Sequence, residues 1–167
     1  MSEFIIRDAN PNDIPVIKTI CDDEFGNGYF NSFSEYLFVN HSILRVATQQ
    51  NTIAGFYFSY ADQENDSKTG IIKTLAIHKH FRQKGLGTNI FGDACIQLKQ
   101  LKVQTIKTII WKHNDDQAIK NILDQLDFKL EYEIADYWKE ESILKGYDCP
   151  VCGNPCKCSA SIYSKSI

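Results

Sequence analysis

The chain has 167 residues, a formal net charge of −3 and no block of basic residues, which argues against nucleic acid as a partner. No apolar run approaches the ~18 residues that a membrane span requires, and no secretory leader pattern opens the sequence. We therefore expect a cytoplasmic protein, monomer or homodimer, without membrane contact. This length allows one hydrophobic core, so a single domain is predicted over residues 1–167.

The hydrophobic pattern predicts strands and helices that follow one another along the chain. Residues 4–7 alternate like a strand, and Asn10 with Pro11 is typical of a helix start. An aromatic-rich stretch, 25–38, is predicted to hold a second helix. The later predicted elements are strands at 43–48, 52–60 and 71–77, a helix at 87–102, a strand at 103–111, a helix after Asn114, and strands at 128–138 and 159–164.

Two glycines, Gly85 and Gly87, open the long predicted helix just after a strand and a polar loop. Because glycine has no Cβ, the backbone there can approach a ligand closely, and the unpaired N–H groups of a first helical turn favour a phosphate. Arg82 and Lys84 add positive charge to the loop. The spacing is neither that of the Walker loop nor that of the dinucleotide fingerprint. We predict a pyrophosphate-binding loop at the carboxyl end of a strand.

Residues 82–87 resemble motif A of the GNAT-type N-acetyltransferases, Arg/Gln-x-x-Gly-x-Gly/Ala, with Arg82, Gly85 and Gly87 at the defining positions. The predicted order β-α-α-β-β-β-α-β-α-β is also the order of that family. The resemblance implies an α/β protein with the GNAT acyltransferase fold, a central mixed, mostly antiparallel sheet flanked by helices. It further implies transfer of an acetyl group from acetyl-CoA to a primary amine by direct attack.

The resemblance also implies which residues bind acetyl-CoA. The strand backbone would follow the pantetheine arm, the loop and first helical turn would hold the pyrophosphate, and Asn114 would face the pantetheine. The implied cofactor-binding residues are Leu75, Ala76, Ile77, Arg82, Gln83, Lys84, Gly85, Leu86, Gly87, Thr88 and Asn114.

The usual acid and base of the family do not stand at the matching positions of this chain. The tyrosine that commonly protonates the leaving thiolate is matched by Leu123, and the glutamate that often serves as base is matched by Lys73. We name Tyr137, near the end of the predicted strand 128–138, and Glu24, in the segment that walls the acceptor site of the family, as substitute catalytic residues. Tyr137 could instead be packing, and Glu24 a solvated helix end.

Four of the six cysteines fall within ten residues, in the spacing C-x2-C-x3-C-x-C: Cys149, Cys152, Cys156 and Cys158. Four thiolates this close are typical of a tetrahedral metal site, and zinc is the favoured ion. An iron–sulfur centre, redox-active thiols and free cysteines stay open, whereas disulfides this short would be strained. Because a fully ligated metal offers no position to a substrate, we assign it a structural role.

We expect the cysteines to form an insert, 149–158, in the connection between the two arms of a closing hairpin, where a structural zinc would contribute folding free energy. Two other functions remain open at this stage. One is a non-catalytic sensor that binds acyl-CoA, and the other is a zinc-mediated interaction protein on an acetyltransferase scaffold. Turnover of any amine would distinguish the enzyme from both.

Overall fold

A computed structural model describes residues 3–112 and 117–167 of the chain. Within these residues seven strands form one sheet in the order β1-β2-β3-β4-β5-β7-β6. Neighbouring strands are antiparallel except for β4 and β5, which are parallel, so the predicted mixed and mostly antiparallel sheet is confirmed. The strands are β1 Ile5–Asp8, β2 Ser42–Gln49, β3 Thr52–Glu64, β4 Ser67–Ile77, β5 Thr105–Lys112, β6 Lys129–Ile134 and β7 Ser159–Ser166.

Helices cover both faces of this sheet. They are α1 Ile14–Phe25, α2 Leu86–Gln100, α3 Gln117–Gln125 and α4 Lys139–Lys145. The apolar stripe of α2, with Ile90 and Leu98 at its centre, packs with α3 on one face, and Ile17 and Ile20 of α1 pack on the other. None of the helices in the described ranges combines the length and apolarity needed to cross a membrane.

The aromatic-rich stretch after α1 is not the predicted α-helix. It forms two short 3-10 turns, Tyr29–Ser32 and Ser34–Tyr36, within what we call the α1–β2 loop, residues 26–41. Gly26 and Gly28 have φ of 101° and 91°, outside the helical range, so the chain turns sharply there. The aromatic side chains then serve the core, since the Phe33 ring stacks on Phe58 with their centroids 5.1 Å apart.

The segment between β6 and β7 differs from the predicted hairpin in one respect. The two arms pair antiparallel, but β6 ends at Ile134 and the short helix α4 follows it before the cysteines. A helix of seven residues is too short to show a clear period in the sequence, which is why it was not predicted. We call residues 135–158 the β6–β7 connection.

Strands β4 and β5 pair only over their first half. Their parallel pairing ends at Ile72 and Thr108, although both strands continue beyond this point. The register between β3 and β4 shifts here as well, so that Lys73 forms a bulge without a pairing partner on β3. A bulge bends its strand and redirects the side chains that follow. The two strands therefore diverge and leave a gap in the middle of the sheet.

Candidate functional site

The gap between β4 and β5 opens into a cleft of about 770 Å³. At one end the lining is built by the Gly85 loop and the starts of α2 and α3. At the other, which we call the aromatic end, it includes Phe25 of α1, Tyr29 of the α1–β2 loop, and Trp138 and Tyr147 of the β6–β7 connection. A cleft of this size, mostly apolar and with a few polar groups, is the usual form of a small-molecule site.

The loop before α2 has the backbone that a phosphate site needs. Gly85 is the N-cap of α2 in the left-handed conformation, with φ of 78°, so the first N–H groups of the helix point out of its end. Gly87, the second glycine, lies on the cleft and also against α3. A Cβ at this position would lie 2.9 Å from Cδ1 of Ile122, so Gly87 allows α2 and α3 to pack closely.

Arg82 and Glu24, predicted for different roles, are brought together as an ion pair at the rim of the cleft. The Arg82 Nε also donates to the Ile77 carbonyl oxygen at 3.1 Å, which fixes the guanidinium over the end of β4. Glu24 at the end of α1 therefore positions the arginine of the loop and offsets its charge.

The structure places most of the predicted cofactor residues on the cleft. Lys84 is an exception, because its Nζ lies over the Phe81 ring, 5.5 Å from the centroid, and it is outside the lining. Asn114 lies outside the described residues. Those that line the cleft are Leu75, Ala76, Ile77, Arg82, Gln83, Gly85, Leu86, Gly87 and Thr88.

A chain of three polar side chains lies at the opposite end of the cleft. Lys73 Nζ is 3.2 Å from Glu141 Oε2, and the Tyr147 hydroxyl donates to Glu141 Oε1 at 2.9 Å. Burial raises the pKa of Tyr147, and the neighbouring Glu141 carboxylate raises it further, so the phenol keeps its proton at neutral pH. Lys73 and Tyr147 line the cleft itself.

Tyr137 lies in the turn after β6 rather than in the strand. Its backbone N–H donates to the Cys158 carbonyl oxygen at 3.1 Å, and its ring packs edge-on against Trp138. Burial, then Glu141 and Tyr132, raises the pKa of Tyr137. Trp138 belongs to the cleft lining, whereas Tyr137 does not.

The residues that the sequence did not single out are Glu141 and Tyr147. The sequence signal for them is weak, because both lie in the β6–β7 connection, far along the chain from Lys73. Lys73 was noted in the sequence only because it stands where the resemblance implies a glutamate base, and its pairing with Glu141 is seen in the structure. Which carboxylate pairs with Lys73 depends on where α4 packs in the folded chain.

The four predicted metal ligands converge in the second half of the β6–β7 connection. Their Sγ atoms all lie within 4.8 Å of one another, and three of the pairs are separated by 3.5–3.7 Å. Thiolates bound at about 2.3 Å to a tetrahedral zinc would be about 3.8 Å apart, whereas a disulfide needs about 2.0 Å. The arrangement is therefore compatible with a metal site.

Backbone N–H groups also point at the sulfurs. Lys157 N lies 3.0 Å from Cys152 Sγ, and Val151 N lies 3.5 Å from Cys149 Sγ. Such donors stabilise thiolates, which are the form of cysteine that binds metal. Two of the cysteines, Cys149 and Cys156, are also part of the cleft lining.

Comparison with known proteins agrees with this architecture. The sequence model of the acetyltransferase (GNAT) family matches residues 11–125, and the chain belongs to that family. The match ends before β6, so Glu141, Tyr147 and the four cysteines lie beyond it. No curated protein sequence matches the chain significantly.

Solved structures with the same fold cover nearly all of the chain. Arabidopsis thaliana NAA60, in complex with a bisubstrate analogue, is 12% identical, with a TM-score of 0.76 over 99% of this chain and 98% of its own. The ribosomal-protein-S18-alanine N-acetyltransferase of Escherichia coli is 14% identical, with a TM-score of 0.73 over 99% and 94%. A Bacillus subtilis acetyltransferase in complex with CoA is 17% identical, with a TM-score of 0.69 over 100% and 99%.

Proposed function

We propose that the protein is an N-acetyltransferase that transfers an acetyl group from acetyl-CoA to a primary amine by direct attack. The observation that carries this proposal is the cleft between the diverging halves of β4 and β5, with a phosphate-type loop at one end and a protonated phenol at the other. Family membership and the CoA complex of the similar Bacillus subtilis protein support acetyl-CoA as the acyl donor.

The cofactor would lie along the freed edge of β4. Beyond Ile72 this strand has no β5 partner, so backbone groups of Leu75 to Ile77 are available to the amides of a pantetheine arm. The pyrophosphate would bind N–H groups at the start of α2, after Gly85. Arg82, paired with Glu24, would add positive charge beside the pyrophosphate. Asn114 is a further proposed contact to the pantetheine.

The chemistry requires a neutral amine whose nitrogen attacks the thioester carbonyl carbon, forming a C–N bond as the C–S bond breaks. The nitrogen must then lose a proton and the thiolate must gain one. We assign proton donation to the Tyr147 hydroxyl, which Glu141 holds in place, and the proton lost by the amine passes to solvent. Tyr137 and Glu24 remain the competing candidates for these steps.

The cysteine cluster would hold a structural zinc ion through Cys149, Cys152, Cys156 and Cys158. A bound ion would supply folding free energy to the β6–β7 connection rather than a step of the reaction, because four thiolates leave it no open position.

A second candidate function is a sensor that binds acyl-CoA without turnover. It is favoured by Leu123, a fully buried residue, and Lys73 at the two positions where the family usually has its acid and base. In that case acetyl-CoA would bind but no amine would be acetylated.

The experiment that tests the cofactor site is a calorimetric titration with acetyl-CoA of the wild type, Gly85→Asp and Gly85→Asn. Both replacement residues tolerate the left-handed conformation of Gly85 and have nearly the same shape, so they differ in charge. We expect saturable one-to-one binding by the wild type, and a Kd at least tenfold weaker for the aspartate than for the asparagine variant. Equal affinities for the two variants would contradict the placement of the pyrophosphate.

A further inference from the structure

The aromatic end of the cleft is bordered by two segments that contact each other. They are the α1–β2 loop, which contributes Tyr29 to the lining, and the β6–β7 connection, which contributes Trp138 and Tyr147. Asp148 N donates to the Asn27 carbonyl oxygen at 3.0 Å, and Lys145 Nζ pairs with Glu35 Oε1 at 2.6 Å. The two walls are thus joined by a backbone hydrogen bond and an ion pair.

Two glycines let these walls approach until their backbones touch. A Cβ on Gly26 would lie 1.7 Å from the Asp148 carbonyl oxygen, and one on Gly28 would lie 2.8 Å from that of Gly146. An extended peptide needs about 4.8 Å to lie beside another backbone, and an inserted one needs that space on both sides. No polypeptide can pass between these walls as they stand.

Hydrogen bonds to Ser142 of α4 fix the cysteine-bearing half of the β6–β7 connection. The hydroxyl of Ser142, a buried residue, accepts from Cys156 N at 2.9 Å, and the Ser142 carbonyl accepts from Asn154 Nδ2 at 3.0 Å. These bonds fasten the cysteine cluster to α4, so the wall is a packed element and not a free loop.

Rings line the aromatic end of the cleft. Phe25 and Tyr29 lie 4.8 Å apart between ring centroids, Tyr29 meets Tyr147 edge-on at 5.2 Å, and Trp138 completes the lining. The cation at this end, Lys73, is already paired with Glu141. Ring faces suit an apolar or aromatic body and also attract an ammonium group before it loses its proton.

We propose that the acceptor is a small free amine carried on an apolar or aromatic body, and not the N-terminus of a polypeptide. This inference rests on the proposed function, because it names the substrate class of the same site. It separates the chain from the similarly folded NatC complex, whose solved structure contains a Gag peptide with CoA.

The test is a series of acceptors that share one phenethylamine unit and grow only through a carboxamide chain on the carbon that bears the amine. The probes are phenethylamine, phenylalaninamide, Phe-Ala amide and Phe-Ala-Ala amide, each assayed for CoA release with the metal-replete full chain. We expect kcat/KM to fall at least tenfold between phenylalaninamide and Phe-Ala amide, and to stay low for the tripeptide, because the second residue meets the closed wall.

Each result decides the inference. Equal or rising kcat/KM along the series would overturn it, since the wall would then admit a peptide. Acetyl-CoA binding by calorimetry without turnover of any of the four probes would also overturn it, while leaving the proposed cofactor site intact. Absence of acetyl-CoA binding would instead defeat the proposed function itself.

Discussion

Lys73 shows how one side chain changes the chemistry of this site. It stands at the bulge where β4 leaves β5, at the position where the family resemblance implies a glutamate. Its ammonium is paired with Glu141, which in turn accepts from Tyr147. A carboxylate is therefore still present beside the bulge, but it comes from α4 and not from the strand.

The proposed role of Tyr147 predicts a difference between two nearby tyrosines. Tyr147→Phe should lower kcat at least a hundredfold, because the variant loses the proposed proton donor, with acetyl-CoA affinity unchanged by calorimetry. Tyr137→Phe is the matched comparison, since its ring lies in the same connection but outside the cleft lining. We expect Tyr137→Phe to change kcat by less than threefold.

The opposite pattern would be equally informative. If Tyr137→Phe loses activity and Tyr147→Phe retains it, the substitute acid is the tyrosine that the sequence indicated.

At the scale of elements, the β6–β7 connection links the cysteine cluster to the cleft. Its helix α4 supplies Glu141, the turn before that helix supplies Trp138, and its cysteine-bearing half supplies Cys149 and Cys156 to the lining. A change in the packing of this connection should therefore alter the acceptor end of the cleft before it alters the Gly85 loop. The Gly85 loop, which follows the carboxyl end of β4, has no hydrogen bond to the cysteines among those of the described residues.

Cys152→Ser should remove the proposed metal and destabilise the β6–β7 connection. We expect the zinc content to fall from about one per chain to near zero and the thermal midpoint to drop, because the free energy of metal binding is also folding free energy. The Kd for acetyl-CoA should change less than threefold. The measurements are elemental analysis, thermal unfolding and calorimetry on the same preparation.

Cys95→Ser is the matched control, because Cys95 is a half-buried cysteine of α2 outside the cluster. It should keep its zinc. Wild-type protein prepared without chelator that contains no zinc would refute the structural metal, and retention of full zinc by Cys152→Ser would remove that residue from the ligand set.

At the scale of the whole molecule, the sheet is joined across its middle by a short parallel contact. Strands β4 and β5 share only the pairs from Thr69–Thr105 to Ile72–Thr108, and beyond them the cleft separates the two halves. Two hydrophobic cores also join the halves of the sheet, one around α2 on one face and one around α1 on the other. A ligand that filled the cleft would contact both halves at once.

Acetyl-CoA at one hundred times its Kd should therefore stabilise the protein by about 2.7 kcal/mol. Hydrogen exchange should slow in β5 as well as in β4, since both border the cleft. Gly85→Asp at the same ligand concentration serves as the control and should show a much smaller shift. Protection confined to α2, without any change in β5, would contradict binding across the gap.

Much of the fold could be predicted from the sequence, since the apolar period of α2 and the alternation of β6 are local patterns. The four cysteines and the Gly85 loop were equally visible, because their chemistry depends on spacing within one short segment. The second helix predicted within residues 25–38 is only two short 3-10 turns in the α1–β2 loop, because Gly26 and Gly28 impose a turn there.

The sequence by itself determined the family, and it indicated a candidate phosphate-binding loop and four cysteines as a candidate metal site, each from residues close together along the chain. Only the tertiary structure decided that Glu24 pairs with Arg82, that Glu141 and Tyr147 meet Lys73, and that the β6–β7 connection closes on the α1–β2 loop. These contacts join residues more than fifty positions apart in most cases, and no local pattern records them. They form because α1 packs on the sheet and α4 packs against the α1–β2 loop, which brings their side chains to one cleft.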